Sequence, residues 1–191
     1  MRVIGNVTAY YSKDDFPSHH FLCNFTVRNV TFTSMEQMMM YSKAKFFKDE
    51  ICAHEIMMTQ NCQAQKMIGR KVQGLRGGKW DDDDKAIWDE KSEQIVFIGN
   101  REKYRQNPVL LSLLLLTGTT ILVEASERDL LWGCGLHERD DRIADPSKWL
   151  GKNRHGKIQE RVRTYFRDHP EAKKIADLTA VYRRDKGQGY L

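Results

Sequence analysis

Long apolar runs are missing from this 191-residue chain. The strongest, VLLSLLLL over Val109–Leu116, is far below the roughly 20 residues that a membrane span requires, and the opening MRVIGNVTAYYSKDD lacks the apolar stretch of a secretory signal. These absences point to a soluble, cytoplasmic protein without a membrane partner. Cysteine is sparse. Cys23, Cys52, Cys62 and Cys134 are widely spaced with no CxxC pair, which argues against a disulfide framework or a zinc knuckle and leaves four free thiols. The six histidines are scattered apart from the adjacent His19 and His20, and none makes an HExxH or similar spacing, so no metal site is indicated. No Pro/Ser/Gly-rich linker and no internal repeat divides the chain. Its length suits one ordinary domain, expected over residues 1–170, followed by a polar C-terminal extension over 171–191 that is helical or frayed.

Several functional motifs are also lacking. WGCGLH holds only two of the three glycines of a dinucleotide fingerprint and does not directly follow a strand. GLRGGKW has Gly-Lys but not the rest of a P-loop, and neither a GxSxG elbow nor a nucleic-acid-binding signature is present. Charge is unevenly distributed. From Lys148 onward there are 12 Lys and Arg against 5 Asp and Glu, whereas the preceding residues hold 19 against 21. This excess is either a solvated terminal helix or the footprint of an anionic ligand such as a phosphate-bearing nucleotide or nucleic acid.

The elements that remain describe a helix-rich α+β domain with a few short strands. TVRNVTF (Thr26–Phe32) is strand-like in composition. TSMEQMMMYSKAKFF (Thr33–Phe47) reads as a helix opened by a capping box of Thr33 and Glu36. Further helices are expected over Ile51–Gln60 and Cys62–Val72. A long one runs from the acidic Asp81–Asp84, whose carboxylates complement the helix dipole, toward Gln106 and the stop at Pro108. A short buried helix ending at Gly118, the strand TILVE (Thr120–Glu124), two loops and a helix carrying Arg161, Arg163 and Arg167 follow. The strands do not form a βαβ series.

One helix raises a chemical question. At about 100° per residue, Glu36, Met40, Lys43 and Phe47 share a face, and Lys45 points away from it. Glu36 can be a capping residue and Lys43 a lysine snorkelling past apolar neighbours. Alternatively both reach a pocket, where a partly desolvated lysine becomes a usable amine and the carboxylate binds sugar hydroxyls or moves protons.

FLCNF (Phe21–Phe25), the Glu36–Lys43 helix, MIGRKV (Met67–Val72), LLTG (Leu115–Gly118), LVEAS (Leu122–Ser126), DLLWGCG (Asp129–Gly135) and WLGKNRHG (Trp149–Gly156) occur in this order. In this succession, covering about residues 8 to 167, the chain resembles the NADAR family of YbiA-like proteins. The resemblance implies an α+β domain that hydrolyses N-glycosidic bonds without a cofactor. Its implied substrates are ADP-ribose on the amino group of guanine, in nucleotides or nucleic acid, or the ribosylamino-pyrimidine phosphates of riboflavin synthesis. In the first case an ADP-ribosyltransferase toxin is an implied partner. A non-catalytic ADP-ribose or nucleotide-binding module and a general nucleic-acid binder are the readings from other classes.

Both substrates carry ribose C1 on an exocyclic nitrogen, so the sugar ring can open to an imine that an amine then captures. Lys43 is the expected Schiff-base nucleophile and Glu36 its acid/base or ribose-hydroxyl partner; a carboxylate assisting water through an oxocarbenium-like transition state is the non-covalent alternative. Among the other matched positions, Trp132 offers a flat face to a base or ribose and Gly133 a close backbone approach. Asp129 orients a water or hydroxyl, or caps a helix. Asn24, Arg70 and Asn153 supply hydrogen bonds to phosphates or base, with a core salt bridge as the alternative for Arg70. The chain departs from the family in the longer segment His137–Trp149, in KIQERVR, and at His155, where the family commonly has leucine.

Overall fold

The computed structural model describes residues 1–169; the extension expected over residues 171–191 lies outside them. Helices dominate, with a few short strands, as the sequence pattern predicts. The chain divides into two units that are interleaved in sequence, one built from Met1–Tyr11, Asp15–Pro17 and the chain from Tyr104 on, the other from Ser12–Asp14 and Ser18–Lys103. Among the described residues no helix is long and apolar enough to cross a membrane.

In the first unit, β1 (Arg2–Ile4) pairs antiparallel with β2 (Val7–Tyr10), and β2 pairs parallel with β5 (Ile121–Glu124), Val7 opposite Ile121. Val7, Ala9, Val123, Ala125, Cys134, Leu136 and Ile143 form its apolar core. β5 is an edge strand, and unpaired backbone groups on an edge need cover. Helix α6 (Arg154–Asp168) supplies it. Glu160 Oε1 accepts from Leu122 N at 2.9 Å, Asn153 Nδ2 donates to Leu122 O at 2.9 Å, and Asn153 Oδ1 accepts from Glu124 N at 3.0 Å. Gly156 permits this approach, because a Cβ there would stand 2.0 Å from Leu122 O.

Two arginines of the basic C-terminal stretch also serve this scaffold. Arg163 donates to Thr117 Oγ1 and Thr120 O at 2.7 and 2.8 Å, and Arg167 donates to Gly118 O. Part of the positive charge is therefore spent on holding the turn before β5. His155, fully buried on α6, completes a polar network. Gln159 accepts from Tyr104 Oη and donates from Nε2 to Pro17 O and His155 Nε2. This pattern puts the proton of neutral His155 on Nδ1, which faces Glu124 Oε2 at 3.3 Å and Tyr10 Oη at 3.2 Å.

In the second unit the strand-like TVRNVTF proves to be a hairpin. β3 (Phe25–Val27) and β4 (Val30–Phe32) pair antiparallel around Arg28 and Asn29, both at positive φ (47° and 67°), as a tight two-residue turn requires. Helices α1 (Met35–Phe46), α2 (Glu50–Met57) and α3 (Cys62–Gly69) pack against one another. Met35, Met38, Met39, Phe47 and Ile56 are buried; each such side chain contributes about 1.5–3 kcal/mol. Helix α4 (Asp82–Gln106) follows the acidic run. There Asp81 Oδ1 accepts from Asp84 N at 2.8 Å, and buried Asp84 accepts in turn from Leu75 N and Asp81 N. Past the end of α4 the chain is back in the first unit, where Pro108 opens α5 (Pro108–Leu116), which is only half buried, with Val109 and Leu116 exposed.

The start of α1 corrects the expected capping box. Ser34, not Thr33, is the N-cap: it is extended at φ −163°, and its Oγ accepts from Gln37 N at 3.0 Å. Gln37, not Glu36, is the reciprocal partner, its Oε1 accepting from Thr33 N at 2.8 Å. Glu36 takes no part in the cap through its carboxylate.

Candidate active site

Freed from capping, the Glu36 carboxylate is buried in the first turn of α1. The N-terminal end of a helix dipole favours a negative charge there. Its Oε2 faces two imidazoles from the preceding loop, His20 Nε2 at 3.6 Å and His19 Nδ1 at 4.0 Å. Its backbone N–H donates to His19 O at 2.9 Å, tying that loop to the helix.

Two turns further along the same face lies Lys43. Its Nζ donates to Gly69 O at 2.8 Å at the end of α3 and sits 4.3 Å from the centroid of the Trp80 ring, with Trp88 at 6.0 Å. The Phe47 ring lies tilted by 35° against Trp80 with centroids 4.3 Å apart, and Trp80 is anchored by donating to Val72 O at 2.7 Å. Gly69 is needed for the approach of α3, since a Cβ there would fall 2.1 Å from Met40 Sδ. Met40 and Phe47, both buried, thus shape the surroundings of the amine as their positions on the stripe suggest. Burial pushes the Lys43 amine down from 10.5 to about 8; the Glu36 carboxylate opposes this shift and the Arg70 guanidinium adds to it. The indole faces favour the ammonium, while the partial loss of water favours the free amine.

Glu36, Lys43 and Arg70 are therefore electrostatically linked. Arg70 is exposed just past α3, its guanidinium against Met67 Sδ at 3.7 Å, and is not part of a core salt bridge. Asn24 is exposed immediately before β3.

The remaining candidates belong to the first unit. Asp129 Oδ1 accepts from Leu131 N at 3.0 Å and Trp132 N at 2.8 Å, so this carboxylate caps the turn that presents half-buried Trp132. The tight approach at Gly133 is to its own chain: a Cβ would meet Asp129 O and Ser126 Cβ at 2.9 Å. Asn153 is fully buried with both amide atoms engaged on β5. Its geometry is that of a strand-edge cap rather than a ligand contact.

Several residues of the site escaped sequence reasoning. Trp80 and Trp88 lie about 40 residues from Lys43, and no local pattern links them. His19 and His20 were visible as a pair but offered no metal spacing. Lys103 is fully buried, donates to Ser18 O at 3.4 Å and lies 5.5 Å from the Phe21 ring centroid; burial pushes its amine to about 8.

A buried carboxylate and a partly desolvated lysine on one helix face, in an α+β scaffold, define a site suited to amine and proton-transfer chemistry. The NADAR domain family model matches residues 7–167. The chain belongs to the NADAR family. It is 37% identical over 132 residues to an N-glycosidase of Acanthamoeba polyphaga mimivirus, covering 69% of this chain and 73% of that one. It is 33% identical to protein irg-1 of Caenorhabditis elegans over 69% of this chain and 59% of that protein. A riboflavin biosynthesis protein of Vibrio vulnificus (strain YJ016) is 28% identical over 84% of this chain, a match that spans only 38% of that protein. The NMR structure of the E. coli protein YbiA shares the fold with a TM-score of 0.66 at 24% identity, over 87% of this chain and 91% of that one.

Proposed function

We propose that the protein is an N-glycosidase that cleaves the bond between ribose C1 and an exocyclic nitrogen, with ADP-ribosylated guanine as substrate. One observation carries the mechanism: the Lys43 amine is held near a pKa of about 8 on the same helix face as the Glu36 carboxylate. The name of the mimivirus relative supports the reaction class. In the scheme, the ribose ring opens to an imine at C1, and Lys43 adds to C1. The C1–N bond to the base then breaks, its electron pair going to the leaving nitrogen, which takes up a proton. Water adds to the resulting Lys43 imine, and release of the amine frees the sugar. Glu36 collects the proton that the attacking water gives up, and Arg70 offers an exposed positive charge to a phosphate.

The basic C-terminal quarter favours the pyrophosphate-bearing substrate, and an ADP-ribosyltransferase that installs the modification is the partner activity this reading implies. The riboflavin relative favours a second substrate, a ribosylamino-pyrimidine monophosphate. Incubation with ADP-ribosylated guanosine oligonucleotide and, separately, with the pyrimidine monophosphate distinguishes the two. Release of ADP-ribose from the first, lost in Lys43→Ala and Glu36→Gln, is expected. Turnover of only the pyrimidine would replace the first substrate by the second, and tight ADP-ribose binding without turnover of either would make the protein a sensor.

A further inference from the structure

Among the groups the proposed reaction leaves unused, the imidazole of His20 is placed against a reacting side chain. Exposure sets the two apart: the Glu36 side chain is 6% exposed and that of His20 33% exposed, with their nearest atoms 3.6 Å apart. His19, 12% exposed, lies further from the carboxylate at 4.0 Å. The loop that carries both is tied down. Ser18 Oγ accepts from His20 N at 3.2 Å, Cys62 Sγ donates to His20 O at 3.7 Å, and Glu36 N donates to His19 O. A buried carboxylate that collects a proton in every turnover needs a path by which to release it to water. Imidazole is the side chain whose ordinary titration lies between pH 5 and 8.

We propose that His20 is the proton relay of Glu36, a positioning residue that exchanges the carboxylate's proton with solvent. The proposal rests on the N-glycosidase reading. In each cycle the leaving nitrogen takes up one proton from solvent as the C1–N bond breaks, which leaves Lys43 as a protonated imine. Water then adds to the protonated Lys43 imine: the O–C1 bond forms, the C=N electron pair moves onto the Lys43 nitrogen and neutralises it, and one water proton goes to Glu36 Oε2. Glu36 passes that proton to His20 Nε2, and the imidazolium releases its Nδ1 proton to solvent. One proton enters and one leaves, so the cycle balances. The groups facing the Glu36–His20 pair are His19 from the same loop, Lys43 on α1 and Cys62 on α3.

The test measures kcat and KM of the full chain on ADP-ribosylated guanosine between pH 5 and 9, for wild type, His20→Ala and His20→Gln, with and without added imidazole. The expected result is a fall of at least about tenfold in kcat with KM little changed, and recovery in His20→Ala that grows in proportion to imidazole concentration. A side chain that only packs against Glu36 is not replaced by free imidazole. Wild-type activity retained in both variants, or a loss that imidazole does not restore, overturns the proposal alone. Absence of turnover of both ADP-ribosylated guanosine and the ribosylamino-pyrimidine monophosphate by the wild-type chain overturns the glycosidase reading instead, and the relay with it; if only the pyrimidine is turned over, the same kinetics are measured on it.

Discussion

The amine chemistry assigned to Lys43 fixes a pH profile in advance. With its pKa lowered to about 8, roughly a tenth of Lys43 is free amine at pH 7, against about 0.03% for an ordinary lysine, a gain of about 300-fold in nucleophile. Below the midpoint, free amine rises tenfold per pH unit. Single-turnover release of guanine nucleotide from its ADP-ribosylated form should therefore climb about tenfold per unit from pH 6, bend near 8 and level off. Two variants move the bend in opposite directions. The Arg70 charge lowers the Lys43 pKa, so Arg70→Gln shifts the bend upward; the Glu36 carboxylate raises it, so in Glu36→Gln the residual activity bends at lower pH. A bend at or above pH 10, or a position indifferent to both substitutions, would refute the assignment of Lys43 as the amine.

The same depressed pKa has a stability sign. Between about pH 8 and 10.5 the unfolded chain holds the Lys43 proton more tightly than the folded one, so stability rises with pH across that window. Lys43→Met lacks this rise; thermal unfolding should show the variant more stable than wild type by about 1–2 kcal/mol at pH 7, allowing for partial exposure, with the gap closing toward pH 10. Ser34→Ala removes the true N-cap of α1 and should cost about 0.5–2 kcal/mol in urea unfolding, whereas Thr33→Val leaves the Ser34 cap in place and should cost less. Gly156→Ala drives a Cβ toward the backbone oxygen of Leu122, while Gly69→Ala meets the flexible side chain of Met40. The first should be the more destabilising, and the second should cost about 1–3 kcal/mol and slow turnover by shifting the carbonyl that holds Lys43. Asn153→Ala should lower the unfolding midpoint through the lost β5 contacts without selectively raising KM.

What could be read before folding, and what could not, follows from where each signal resides. The apolar face of α1 and the acidic start of α4 are local patterns, and both helices form where those patterns lie. The cap of α1 could not be assigned, because TSMEQ contains two overlapping capping boxes, Thr33 with Glu36 and Ser34 with Gln37. Only the extended backbone of Ser34 selects the second. The β3–β4 turn was hidden because Arg-Asn is a less common carrier of two positive φ values than Asn-Gly. Glu36 and Lys43 were legible as a stripe. Their environment was not: His20 approaches from an irregular loop, and Trp80 and Trp88 from a segment remote in sequence. Asn153 was misleading for a related reason, since its partners are backbone atoms of β5, which leave no trace in residue identity.

Borohydride trapping during turnover tests the central claim most directly. Wild-type protein mixed with ADP-ribosylated guanosine, reduced and digested should yield a peptide carrying the reduced ADP-ribose adduct on Lys43, and Lys43→Arg should yield neither adduct nor product. Full turnover in Lys43→Ala, or an adduct confined to another lysine such as Lys103, would contradict the account.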